Sequence, residues 1–229
     1  MSYSERGSQK RLFDELRDKN GKLPVVTMVL VLLNAAVFFV CDLFLYRYLN
    51  QTVFYLAMNP ALILENKQYW RLFTSMFYHF GIEHLMSNML MLYYVGAMLE
   101  RTIGKVRYLI LYFISGLVAD FASILYNSVI VKENAETVFA AGASGAISGL
   151  FGALVVLTLC CYKRVTLLRK KDVPVFLFFT LFVGFFEKGV DHAAHLGGFA
   201  AGCVLGALFS VYLKRKNPQN VWDDFGGNR

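Results

Sequence analysis

Ser144 stands among residues too small to cover it, in Gly142-Ala143-Ser144-Gly145. A serine hydroxyl attacks a carbonyl only when a nearby base takes its proton. His195, in His192-Ala193-Ala194-His195, is a candidate for that base. A neutral imidazole can accept the proton and later hand it to a leaving amine. His84 and Asn88 are four residues apart and share one helical face. With the backbone N–H of Ser144, they carry donors suited to a developing oxyanion. Singly, each patch reads as close packing or as a helix-to-helix hydrogen bond. Together they read as acyl-transfer chemistry.

Metal chemistry has less to stand on. Cys41, Cys160, Cys161 and Cys203 lie inside apolar runs, without metal-type spacing. The four histidines, His79, His84, His192 and His195, find no cysteine or acid to complete a ligand set. No metal and no other cofactor is expected.

The elements that must position these residues are apolar. Of 229 residues, 57% are hydrophobic and 17% charged. A soluble domain of this size cannot hide that much apolar surface. The composition also excludes disordered, collagen-like and disulfide-scaffold classes. Six segments stand out: 24–46, 82–99, 106–126, 139–162, 173–186 and 193–213. At about 20 residues per span, these predict an all-α, polytopic membrane domain of six transmembrane helices over 24–213. A polar N-terminus, 1–23, precedes it, and a polar tail, 214–229, follows. The connection 47–81 is too polar and too broken by Asn59-Pro60 to span. It is expected to lie in the outer interface, with Arg71 snorkelling to water.

Charge gives an orientation. Eighteen of the 23 Lys and Arg fall in the N-terminus, the 100–107 and 163–172 turns and the tail; five fall on the other side. The net charge of +7 therefore reads as membrane topology rather than as a nucleic-acid groove. It predicts both termini in the cytoplasm. The second, fourth and sixth segments then begin at the outer face and run inward. Ser144, His195, His84 and Asn88 all fall at one depth, about one to two turns into their helices. The fourth segment carries Gly145, Gly149 and Gly152; the sixth carries Gly198, Gly202 and Gly206. Small residues at four-residue spacing let membrane helices approach closely, which would draw Ser144 toward His195.

At this point the chain resembles the rhomboid intramembrane serine proteases of the basic six-helix kind. The resemblance rests on Trp70-Arg71-Leu72-Phe73-Thr74 through His79, on Glu83-His84-Leu85-Met86-Ser87-Asn88-Met89, on Ala141-Gly142-Ala143-Ser144-Gly145-Ala146, and on Ala194-His195-Leu196-Gly197-Gly198-Phe199-Ala200-Ala201-Gly202. It implies Ser144 as nucleophile, His195 as base and no acidic third member, with His84 and Asn88 as oxyanion stabilisers. The chain departs from the family pattern at Ser148, where relatives often carry an aromatic stacked on the catalytic imidazole. Asp120 lies deep in a span and reads as a helix-to-helix hydrogen bond. Glu100 reads as interfacial.

The expected function is an endopeptidase that cuts single-span membrane proteins near the outer interface. Entry past the aromatic fifth segment is the expected route. Its partners are transmembrane substrates and membrane lipid, with no nucleic acid; oligomeric state is not legible. A rhomboid-like protein that binds membrane clients without cutting is the alternative. A small transporter is disfavoured because Asp120 is nearly alone as an intramembrane charge. The N-terminus lacks a transit-peptide composition, which favours a prokaryotic plasma membrane with the site opening to the outer face.

Overall fold

The computed structural model describes residues 23–41, 55–131, 137–161 and 190–216. Five long helices dominate these residues: α1 (Val25–Phe39), α2 (Ile82–Ile103), α3 (Lys105–Leu125), α4 (Ser144–Cys160) and α5 (His192–Lys216). The expected fifth apolar segment, 173–186, and the polar stretch before Leu23 lie outside the described residues.

Among the described residues, Lys105–Ile130 and His192–Arg215 are long and apolar enough to cross a membrane by length and composition. Val25–Phe39 and Ser144–Cys160 are apolar but shorter. The expected count of six spans is therefore met only in part. Helix α2 is long, but it carries Glu83, His84, Asn88, Glu100 and Arg101. Helix α4 starts five residues later than expected, because the chain ahead of Ser144 is paired at Ala140 with Met58.

The distribution of polarity is that of a protein in lipid. Val29, Leu32, Met86, Leu90, Phe121, Leu196, Val204 and Leu208 point outward. Thr27, Asn34, Ser115, Ser123, Thr158 and Ser210 are buried. Inward hydroxyls and an apolar exterior suit a solvent that offers no hydrogen bonds. The interior is filled by Tyr108, Tyr112, Leu92, Leu99, Leu111, Leu150, Leu154 and Leu157.

Helix ends follow local rules. Glu83 sits in the first turn of α2 and Arg101 in the last, each matching the helix dipole. Gly104 alone joins α2 to α3, at φ +84°, where a side chain would be strained. At this same end, Glu100 is buried, contrary to its interfacial reading. Its carboxylate accepts the Val26 N–H at 3.1 Å, the Thr27 N–H at 2.8 Å and the Thr27 hydroxyl at 2.9 Å. An acid from α2 thus satisfies the exposed donors that begin α1.

Helices α4 and α5 run parallel with their backbones touching. A Cβ on Gly198 would strike the carbonyl oxygen of Gly145, and one on Gly202 that of Gly149. One on Gly206 would crowd Ala153, and one on Gly152 the carbonyl of Phe199. The small-residue stripes expected to pack do so. Helix α3 closes the same seam from the side: Ala119 lies against Gly145, and Ala122 against Gly197.

Among the described residues the loop ahead of α2 is packed at Ala57, Met58, Ile63, Met76 and Phe77, while Tyr69, Trp70 and Phe73 stay exposed. Asn59-Pro60 begins a short helix, Pro60–Leu64; the Asn59 side chain accepts the Leu62 N–H at 2.9 Å. Arg71 does not snorkel. It is 2% exposed and donates to the Ala57 carbonyl at 2.9 Å and to Gln68 Oε1 at 2.7 Å. A guanidinium with five fixed donors suits this task better than a solvated one, since it crosslinks a loop that has no regular ladder.

Candidate active site

Two short connections bring the loop to the chain entering α4. Met58 and Ala140 exchange backbone hydrogen bonds at 2.8 and 3.0 Å, in an isolated antiparallel bridge. Asn59 Nδ2 donates to the Val138 carbonyl at 2.9 Å. Further along, the Gly142 N–H donates to the Ser75 carbonyl at 2.8 Å. The Ala143 N–H points to His79 Nε2 at 3.5 Å. The segment 138–143 therefore reaches Ser144 held at Val138, Ala140, Gly142 and Ala143.

Ser144 is the first residue of α4, with Ala143 at the N-cap. This corrects the expectation of one to two turns of helix above it. The opening N–H groups of a helix have no carbonyl of their own helix to pair with, and they form the positive end of its dipole. The position suits a group near which negative charge develops.

Gly142 makes room for His84. Its φ of +125° belongs to glycine, and a Cβ there would lie 2.8 Å from both Cε1 and Nε2 of His84. The same Cβ would lie 3.7 Å from Ser144 Oγ. The His84 ring and the Ser144 hydroxyl thus border one small space left by a missing side chain.

His84 is itself held. Phe80 stacks on it with centroids 6.3 Å apart and planes at 11°; His79 meets it edge-on at 5.0 Å. Asn88 is buried, one turn below on α2, and its Nδ2 donates to the His84 carbonyl at 2.8 Å. Part of the Asn88 amide is therefore engaged with its own helix.

His195 lies on the first turn of α5. Its N–H donates to the Asp191 carbonyl at 3.0 Å. Gly145, which meets Gly198, is one residue beyond Ser144, and Gly198 is one turn beyond His195. The two candidate residues therefore sit at the same end of the same backbone seam. Ser148 lies one turn further along α4, half-buried.

Two acids complete the neighbourhood. Asp120 on α3 accepts a hydrogen bond from Ser75 Oγ at 2.7 Å, the tie expected of it. Asp191 caps α5: its Oδ1 accepts the Ala194 N–H at 2.9 Å, and its Oδ2 accepts the Ser123 hydroxyl. Asp191 was legible as an N-cap, an acid placed three residues before a helical N–H that it can accept.

His79 in the loop is 2% exposed. Burial, with His84 adding repulsion, pushes its imidazole down to about 4. It is neutral at neutral pH, so Nε2 is an acceptor for the Ala143 N–H.

A helical bundle with an apolar exterior, buried hydroxyls and a glycine-lined polar end defines a helical membrane protein with a candidate hydrolytic site. A Rhomboid domain model matches residues 66–212, and the chain belongs to the rhomboid family. It is similar to RHOMBOID-like protein 1 of Arabidopsis thaliana, at 33% identity over 71% of this chain and 42% of that protein. It is similar to Rhomboid protease GluP of Bacillus subtilis, at 29% identity over 84% of this chain and 36% of that protein. RHOMBOID-like protein 7 of Arabidopsis thaliana is 32% identical over 73% of this chain and 50% of that protein. The chain spans half or less of the length of these relatives. They come from a plant and a bacterium alike, which gives the expected prokaryotic membrane no support.

Proposed function

We propose that this chain is an intramembrane serine endopeptidase that cuts single-span membrane proteins. The observation that carries the reading is the space left at Gly142, bordered by both the His84 ring and Ser144 Oγ, which in this reading is part of a cleft. In this reading Ser144 Oγ attacks the scissile carbonyl while His195 takes its proton. The bond to the amine breaks as the imidazolium returns that proton. Water then attacks the acyl-enzyme, with His195 again as base. His84, Asn88 and the Ser144 N–H hold the oxyanion. The start of α4 favours that charge through its dipole.

Topology follows from charge. Both termini lie in the cytoplasm and the cleft opens to the outer face. Water reaches Ser144 through polar backbone that lines the cleft, the one place where irregular structure is tolerated at membrane depth. Substrates are spans with weakened helices near that face, because a stable helix hides its carbonyls.

Incubating the purified protein with a panel of single-span substrates, beside Ser144→Ala and His195→Ala, tests this. Both variants are expected to remain folded in detergent and to lose cleavage. His84→Ala and Asn88→Ala are expected to lose roughly 10²–10³-fold, as for one oxyanion donor. Wild-type turnover in Ser144→Ala would end the reading. A fluorophosphonate that labels wild type but not Ser144→Ala separates a protease from a client-binding relative without catalysis.

A further inference from the structure

Two hydrogen bonds leave one turn of α3 for the two segments that carry Ser144 and His195. Asp120 and Ser123 are three residues apart, so both face the same side of α3. Asp120 accepts from Ser75 Oγ at 2.7 Å, and the Ser75 carbonyl accepts the Gly142 N–H at 2.8 Å. Ser123 donates to Asp191 Oδ2. The other oxygen of Asp191 accepts the Ala194 N–H at 2.9 Å, and its carbonyl accepts the His195 N–H at 3.0 Å. Each route is one side-chain link followed by one backbone link. Ser75 and Ser123 are buried, so water does not compete freely for either hydroxyl.

We infer that Asp120 and Ser123 are a pair of positioning residues: one turn of α3 sets the distance between the segment entering the nucleophile's helix and the base's helix. The inference rests on the protease reading for its effect on rate, but the clamp is a property of the fold. A proton transfer from Ser144 to His195 needs hydrogen-bond reach, and a displacement of about 1 Å can cost on the order of 10²-fold. The glycine seam fixes how close α4 and α5 lie, but it begins at Gly145 and Gly198. Ser144 and His195 lie at the outer end of that seam, one residue before Gly145 and one turn before Gly198. The α3 pair holds the two segments just there.

The clamp predicts a rate effect without a binding effect, and a reciprocal failure of its two arms. The full-length protein in detergent is compared with Asp120→Ala, Asp120→Asn, Ser123→Ala and the Asp120→Ala/Ser123→Ala double variant. Three quantities are read: the rate of labelling by a fluorophosphonate, kcat and KM on a cleaved substrate, and hydrogen exchange of the backbone. Asp120→Ala and Ser123→Ala are each expected to slow labelling and kcat by roughly 10–100-fold with KM unchanged. Asp120→Asn keeps an oxygen acceptor for Ser75 and is expected to recover most of the rate. The double variant is expected to be little slower than either single one, because a gauge released at one end is already released.

Exchange reads the clamp whether or not the protein cuts. Asp120→Ala should speed exchange at 140–144 and leave 192–196 largely protected; Ser123→Ala should do the reverse. Unchanged exchange in both would overturn the clamp. So would wild-type labelling rates in both alanine variants, or Asp120→Asn as slow as Asp120→Ala. A wild-type protein that neither labels nor cuts would remove the protease reading instead, and exchange would still decide the clamp.

Discussion

Two carboxylates, Glu100 buried and Asp191 half-buried, each cap the start of a helix at different corners of the bundle, and they are wired differently. Glu100, at the junction of α2 and α3, spends its hydrogen bonds on α1 and on the hydroxyl of the residue it caps. Every partner belongs to one helix start, so the corner is closed. Asp191 caps α5 but takes its hydroxyl from Ser123 on another helix. That corner is open: a change on α3 reaches the turn that carries His195. The first arrangement holds helices together. The second also fixes where particular side chains stand.

The comparison breaks most visibly at Gly142. Gly142→Ala is expected to lower cleavage by roughly 10²–10³-fold, because its Cβ displaces the His84 ring, and losing one oxyanion donor costs that much. Cleavage rate beside a melting curve checks it; a large fall in melting temperature with no intrinsic rate loss would place Gly142 with the closed corner. Glu100→Ala should do the opposite, destabilising by about 3 kcal/mol as buried donors lose their acceptor. Its kcat, measured on the folded fraction, should stay within a few-fold of wild type. Denaturant or thermal unfolding reads the first number and single-turnover cleavage the second.

A pH series sharpens the contrast on the loop side. Unfolded, an imidazole titrates near 6.5, whereas His79 in the fold titrates near about 4. Below 6.5 the unfolded chain binds the extra proton first. The stability held above 6.5 is therefore lost as pH falls toward 4, by about 3 kcal/mol at most. His79→Asn should flatten unfolding measured between pH 7.5 and 4.5; an unchanged slope would assign the loss elsewhere. The smallest effect is expected from Thr27→Val, which removes one hydroxyl from the Glu100 corner while leaving the backbone bonds, at about 1 kcal/mol. The same melting assay reads it.

Apolar runs and glycine spacing made the long helices and the α4–α5 seam legible, because both are periodic along the chain. Shared depth pointed to one end of the bundle, and there the structure puts His84 and Ser144 beside one space and His195 at the same end of the glycine seam. The tertiary hydrogen bonds were not. Arg71 and Glu100 looked like interfacial charges because their partners, Ala57 and the start of α1, are far from them or unmarked in type. The entry to α4 was misjudged because Phe139, Ala140 and Ala141 are as apolar as the helix they precede. Nothing in their composition reveals a pairing with Met58, more than 80 residues earlier. Asp191 and Asn59 carried readable cap signals. The Ser123 and Ser75 links did not, since a serine inside or beside an apolar run looks the same whether it faces a carboxylate or a carbonyl.

Where Gly198 meets Gly145 and Gly202 meets Gly149, the seam of α4 and α5 leaves no side chain between the two backbones to change rotamer. Their spacing has no intermediate settings: it is either the full approach that hydrogen-only residues permit or a forced step apart. Mutational tolerance along this line should be all-or-none, with methyl-sized additions acting as spacers, while the same additions on the lipid-facing sides of both helices pass unnoticed.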